Sequence, residues 1–231
     1  MHIKIWSDIR CPFCYIGKKH FEAALSQFPN KDEITVEWKS FELDPNLKTA
    51  TDKNAIDHFV ESKGIDPERA KHMFNNVTAM ASQAGLDFNL EASIPANTLK
   101  AHRLLHLAKQ EDLSDQTKEA LLKAHLSEGK NIDDVNVLTS IASGLGMDAE
   151  KVKAMLESDD FTYEVKQDQM EARNLGINSV PFFVIDDQYG ISGAQPVEVF
   201  TESLEKAWKN KKSKLEMVSE GHSCDVDGNC N

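Results

Sequence analysis

Ile3-Lys4-Ile5-Trp6-Ser7 alternates apolar and polar positions and predicts a short strand. Past Cys11-Pro12-Phe13-Cys14, the positions Ile16, His20, Ala23, Ala24 and Gln27 recur at helical spacing until Pro29-Asn30 stops them. Residues 34–43 (ITVEWKSFEL) are rich in β-branched and aromatic side chains and predict a second strand, ended by Asp44-Pro45-Asn46. From about residue 50 to residue 158 the pattern is helical only. Asp66-Pro67 opens one helix, and Asn97 or Thr98 caps another with Ala101, Leu104, Leu105 and Ala108 on one face. A third is predicted over 117–128, a fourth from Asp133 or Asp134, and a fifth capped by Asp148 with Val152, Met155 and Leu156 inward.

After this stretch, Asp159-Asp160 begins a long helix with Phe161, Val165, Ala172 and Leu175 on one side and Gly176 at its end. Val180-Pro181-Phe182-Phe183-Val184-Ile185 then predicts a strand, which Asp186-Asp187-Gln188 turns into Tyr189-Gly190-Ile191-Ser192. Pro196 opens a last helix running through Lys214, whose lysines gather at the C-terminal end favoured by the helix dipole. The order is strand-helix-strand, a helical stretch, then helix-strand-strand-helix. It predicts an α/β fold built from residues 1–49 plus 159–214, with an all-helical insertion over 50–158. Residues 215–231 are polar and predict a flexible tail.

Composition narrows the functions open to such a fold. The 231 residues carry a formal net charge of −12, which argues against nucleic acid or an anionic membrane as partner. No run approaches the roughly 18 apolar residues of a membrane span. The opening residues lack the apolar stretch and small-residue cleavage site of a secretory signal, so a cytoplasmic location is expected. Cysteines there are usually reduced, so a conspicuous pair calls for a chemical explanation.

Cys11-Pro12-Phe13-Cys14 is that pair, set between a strand and a helix start. Disulfide exchange needs a thiolate, and the free amides and dipole at a helix N-terminus favour one. The spacing therefore predicts a lowered pKa at Cys11, with Cys11 attacking and the better-shielded Cys14 resolving. Two inert cysteines or a zinc site compete with this reading. Zinc needs four ligands, and the looser Cys224-x5-Cys230 lacks knuckle spacing, so redox chemistry is favoured and no metal is expected.

The chain resembles the DsbA-like thioredoxin superfamily, in particular its FrnE-like branch of dithiol–disulfide isomerases. The resemblance rests on Ile5-Trp6-Ser7-Asp8 leading into Cys11-Pro12-Phe13-Cys14-Tyr15-Ile16-Gly17, on Phe41-Glu42-Leu43-Asp44-Pro45, on Asn97-Thr98 with Ala101-His102-Arg103-Leu104, and on Gly176-Ile177-Asn178-Ser179-Val180-Pro181-Phe182-Phe183. It implies a thioredoxin-like fold with a large all-helical insertion. It also implies that Cys11, Cys14 and Pro181 share the active site, with Pro181 in a cis-proline loop facing the dithiol. Pro12, Phe13, Val180 and Pro181 are then the expected substrate-binding residues, Val180 offering backbone groups to an extended substrate. The expected substrates are thiol- or disulfide-containing proteins or small thiols, with no cofactor beyond exchange with glutathione. DsbA itself has a histidine between its cysteines where this chain has Phe13, so a less oxidising couple is expected. Glutathione-dependent transferases and aromatic-ring isomerases of the same superfamily use a single serine in place of the dithiol. They remain the alternative function.

Three weaker signals complete the reading. Cys224 and Cys230 match a second cysteine pair in extended members of the branch; the pair either relays electrons to Cys11 and Cys14 or oxidises incidentally. His102 and His106 share a helix face, but Leu104-Leu105 beside them favour packing over a metal. Glu37, Lys39 and Glu42 lie in the second strand, where one could shuttle the Cys14 proton.

Overall fold

Strand β1 (His2–Ser7) runs through the middle of a four-stranded sheet in the computed structural model, which describes residues 1–210. It pairs parallel with β2 (Thr35–Ser40) and antiparallel with β3 (Phe182–Ile185). β4 (Tyr189–Ser192) completes the order β2-β1-β3-β4. Parallel neighbours require a crossover, and α1 (Pro12–Gln27) provides it.

Alternation along β1 sorts the two faces of the sheet. Ile3 and Ile5 join Phe183, Ile185 and Ile191 under α1 and α9 (Val197–Lys209), where Phe21, Ala24, Phe200 and Leu204 complete the core. Trp6 turns the other way, onto Ala172 of α8 (Thr162–Asn174) with Ile177 and Val184. Its indole Nε1 donates to the Asp168 carbonyl at 2.9 Å, so the one polar atom of that ring is satisfied.

Between β2 and α8 lie only helices: α2 (Ala55–Lys63), α3 (Pro67–Gln83), α4 (Leu99–Gln110), α5 (Ser114–Leu126), α6 (Val135–Gly144) and α7 (Ala149–Glu157). The element order thus yields the thioredoxin-like fold with a helical insertion. Leu104, Leu121, Leu138, Val152 and Leu156 form the insertion's own core, and Ile9 from the loop after β1 is buried in it. A second cluster sets Tyr15 and Ile16 of α1 against Leu86, Phe88, Leu122 and Leu126. The insertion therefore grips the loop and first turn that carry the two cysteines. Among the described residues no helix is long and apolar enough to cross a membrane.

Several predicted bounds move, each for a local reason. The second strand ends at Ser40 rather than Leu43, because β1 ends at Ser7, opposite Ser40. The Leu43 amide instead donates to Asp8 Oδ2 at 2.9 Å, which leaves the Leu43 side chain 48% exposed. The third insertion helix begins at Ser114 and ends at Leu126, with Leu113 at its N-cap. Phe161 does not continue the face of Val165 and Ala172: its backbone is left-handed (φ 62°) at the N-cap of α8. Its ring stacks on His106 at 6.3 Å, against the insertion core. Leu175, expected inward, is 54% exposed. Pro196 is the N-cap of α9, ahead of its first turn; α9 itself ends at Lys209, and the lysines beyond it lie outside the described residues.

Arg103 fastens this junction. Buried on α4, its guanidinium donates to the carbonyls of Met155, Ser158 and Asp160, at and beyond the end of α7. That helix has no basic residue in its last turn, and Arg103 caps it from outside, adding to the Ser158 amide and hydroxyl that already reach the Met155 carbonyl. Arg103→Met should lower the free energy of unfolding by about 1.5–3 kcal/mol in urea titration, the worth of hydrogen bonds from a charged donor. An unchanged midpoint would mean that water reaches these carbonyls.

Candidate active site

Cys11 is the N-cap of α1, with extended backbone (φ −86°, ψ 114°) and Pro12 in the first turn, where its missing N–H costs nothing. The Cys14 amide closes the first turn on the Cys11 carbonyl at 3.0 Å. Both cysteines are free thiols, 5% and 1% exposed, while Phe13 between them is 38% exposed. Across from them, the Val180–Pro181 peptide is cis, and the Cys11 thiol donates toward the Val180 carbonyl at 3.7 Å.

Gly17 explains how this loop comes so close to α1. A Cβ at Gly17 would lie 2.9 Å from Pro181 Cγ, nearer than side chains tolerate, so the missing side chain makes room for the proline ring. The loop is held from behind by the Gly193 amide, which donates to the Pro181 carbonyl at 2.8 Å.

The thiols sit in a nest of buried charge. Asp8, fully buried, accepts from the Leu43 amide and lies 3.4 Å from His102 Nε2. Burial opposes its ionisation, but the contacts to His102 and the Leu43 amide outweigh that and hold its pKa below the usual carboxylate value. Lys118 of α5 is also fully buried. Its Nζ donates to the Ser7 carbonyl at 3.3 Å and lies 5.5 Å from the Trp38 ring centroid. Burial pushes its pKa down to about 8, against the raising influence of Cys14, Asp8 and Cys11.

The dithiol ionises differently from the sequence expectation. Burial disfavours a Cys14 thiolate, but a hydrogen bond from Cys11 and the Lys118 charge more than compensate, and the Cys14 pKa falls below the ordinary thiol value. The Cys11 pKa rises well above it, first because its proton is shared with Cys14 and then because of burial. The helix-end contribution exists, since the Cys14 amide favours a Cys11 thiolate, but it is outweighed. The Cys11 proton has two acceptors, the Val180 carbonyl and the Cys14 sulfur, and the pair titrates as a unit.

Cys11, Pro12 and Phe13 border a cavity of about 600 Å³ walled by the insertion. Phe59, Phe74, Val77 and Leu90 make it largely apolar, and Arg10 and His125 add polar groups. His125 stays neutral, its pKa driven down to about 4 by burial, and its Nδ1 has no hydrogen-bond partner. The volume is that of an ordinary small-ligand site. Val180 and Pro181 do not line it; they flank the sulfur from the sheet side. Cys224 and Cys230 lie outside the described residues.

His102 and His106 take different partners: His102 faces Asp8, whereas His106 meets the Ser40 hydroxyl at 3.1 Å and Asp168 at 3.3 Å. Among the described residues no group of three or more His, Cys, Asp or Glu is disposed to hold a metal ion. Glu37 is engaged by Lys39 and Lys109, and Lys39 by Asp168 and Glu171. Glu42 lies past the end of β2, accepts from Gln169 Nε2 at 3.0 Å, and has its pKa raised by burial. None of the three figures among the charges acting on Cys14, where Lys118 does. The sequence signal for Lys118 was its place three and four positions before Leu121 and Leu122, on the buried stripe of α5.

A model of the DSBA-like thioredoxin domain matches residues 2–205. The uncharacterised protein YwbO of Bacillus subtilis is 30% identical over 213 residues, spanning 91% of this chain and 99% of its own length. A probable DsbA oxidoreductase from Streptomyces coelicolor is 38% identical with a TM-score of 0.88, over 100% of this chain and 98% of its own. The cytosolic disulfide reductase DsbM from Pseudomonas aeruginosa shares the fold at 15% identity and a TM-score of 0.63, over 91% of this chain and 100% of its own. With a dithiol at the start of α1, a proline loop against it and a helical insertion closing the other side, this chain belongs to the DsbA-like thioredoxin family.

Proposed function

We propose that the protein is a thiol–disulfide oxidoreductase acting on cysteines of proteins or small thiols, glutathione among them. The observation that carries this reading is the Cys11 sulfur, which lies between the Val180 carbonyl and the cavity with its proton shared with a more acidic partner. When the Cys11 proton passes to Cys14, a thiolate forms at the only one of the two sulfurs that borders the cavity. It attacks one sulfur of a substrate disulfide, the substrate S–S bond breaks, and the other substrate sulfur leaves as thiolate. Cys14 then loses its proton and attacks Cys11. The Cys11–Cys14 disulfide forms and the second substrate sulfur departs, so the substrate gains the two electrons that the dithiol gives up. Run backwards, the same steps oxidise a substrate dithiol.

Recognition follows from the surroundings of that sulfur. An extended substrate lies along the Val180 carbonyl on one side, and the apolar group next to its cysteine enters the cavity beside Pro12 and Phe13 on the other. The reading sets the chemistry in the cytosol, where dithiols are kept available, and it needs no metal or organic cofactor because the sulfurs carry the electrons. It is supported by the 38% identity to a probable DsbA oxidoreductase.

Cys11→Ser should abolish insulin-disulfide reduction, and Cys14→Ser should accumulate a mixed disulfide at Cys11 visible by mass spectrometry. Glutathione-dependent conversion of an aromatic substrate that survives in both variants would instead assign a transferase. Gly17→Ala gains helix propensity of about 1 kcal/mol, so α1 is not weakened by it. Displacing Pro181 should nonetheless reduce turnover of insulin by about tenfold or more, as misplacements of well under 1 Å to 1 Å do; unchanged turnover would show that the loop need not touch α1.

A further inference from the structure

Two fully buried lysines stand near the site, and they are treated very differently. Lys18 makes ion pairs with Glu22, Asp115 and Glu119. Lys118, equally buried, has the Ser7 carbonyl and the face of Trp38 and, among the described residues, forms no ion pair with a carboxylate. A buried ammonium without a counter-ion is expensive, and chains usually lose such a charge or pair it. The negative groups that act on it are Cys14, Asp8 and Cys11, with Lys18 opposing. Asp8 is already engaged by His102 and the Leu43 amide. That leaves the sulfurs.

We propose that Lys118, supplied by the helical insertion, is the positioning residue whose charge allows Cys14 to become the resolving thiolate. The inference rests on the reading of the pair as an exchange dithiol and adds the group that makes its second step run. After Cys11 has entered a mixed disulfide, it can no longer donate a hydrogen bond to Cys14, and the main aid to a Cys14 thiolate is gone. Lys118 is the next favourable influence on that sulfur, and it remains. Cys14 gives up its proton opposite the ammonium and attacks Cys11; the Cys11–Cys14 bond forms, and the electron pair of the broken bond leaves on the substrate sulfur. The new disulfide carries no charge. Lys118 then has only Asp8 to favour its ammonium, so its proton is held less tightly in the oxidised protein than in the reduced one.

The test separates the two steps. Reduced protein mixed with 5,5′-dithiobis(2-nitrobenzoate) releases one coloured thiolate when Cys11 attacks and a second when Cys14 resolves. Lys118→Met removes the charge at nearly constant volume. Each unit by which the Cys14 pKa rises costs about tenfold in thiolate, of which greater nucleophilicity returns about threefold. The second release should therefore slow by about threefold to tenfold near neutral pH in this variant, with its pH midpoint moved upward. Lys118→Arg, which keeps the charge, should recover most of the rate. A measurement on the unaltered protein stands beside these: the 13Cε resonance of Lys118 should titrate at lower pH after oxidation than before. An unchanged second phase and midpoint in folded Lys118→Met, or a Lys118 titration blind to the redox state, overturns the proposal. Failure of the exchange reading looks different, because then the first release is missing from the unaltered protein or persists in Cys11→Ser.

Discussion

The first turn of α1 has to touch two bodies at once. Tyr15 and Ile16 are buried against the helical insertion, while the next residue, Gly17, lies against the Pro181 loop of the sheet. Neither contact can slide without the other. Moving α1 toward the sheet drives Gly17 into Pro181, whose ring already fills the space a side chain there would need; moving it away opens a void under Tyr15 and Ile16, and voids in packed interiors cost stability in proportion to their volume. The cysteines flanking that turn inherit its fixity. The Cys11 sulfur 3.7 Å from the Val180 carbonyl is thus a consequence of packing rather than of any interaction made by the sulfur itself.

Charge buried along the same seam is what ties the insertion to the sheet. Asp8 holds the Leu43 amide and faces His102 of α4. Asp168 of α8 accepts from the Ser40 amide at 2.8 Å and pairs with Lys39 and His106, the latter also from α4. Each carboxylate loses water but gains an amide donor and a cationic or imidazole partner, the condition under which a buried carboxylate stays ionised. β2 stops with β1, at the Ser7–Ser40 pair, and the Leu43 amide just beyond it is taken by Asp8 as the chain turns toward the insertion.

That coupling explains what could be read from the chain alone. Ile3, Ile5 and the run up to Ile185 advertise strands by period, and Cys11-Pro12-Phe13-Cys14 advertises a helix start by chemistry; both are local properties and both lie near where expected, although the strand expected from Val180 begins only at Phe182. The end of β2 escapes a local reading because it is set by where β1 stops, at Ser7, and by Asp8, which takes the Leu43 amide from 35 residues away. Phe161 was assigned to the wrong face because its left-handed backbone sits on a junction that Arg103 organises from α4. The lower pKa falls at Cys14 rather than Cys11 first through the hydrogen bond between the two sulfurs and then through Lys118. A helix N-terminus is visible in sequence, whereas the lysine that acts on Cys14 arrives from a helix 104 residues later, and nothing short of the packed structure joins them.

Placing that lysine on the insertion rather than on the sheet has a physical consequence. The helix start favours a thiolate at Cys11. The insertion adds the Lys118 charge beside Cys14, second there to the hydrogen bond from Cys11, and it also builds the wall that faces Cys11 across the cavity. One added layer therefore contributes both to what the sulfur can reach and to the order in which the two sulfurs give up their protons. The two effects cannot vary independently, because Leu121 and Leu122, which follow Lys118 on the buried stripe of α5, pack into the insertion core and against α1. A change that loosens α5 to widen the cavity must also draw the ammonium away from Cys14. On this architecture the shape of the cavity beside Cys11 and the charge beside Cys14 are adjusted together, by the packing of a single helix.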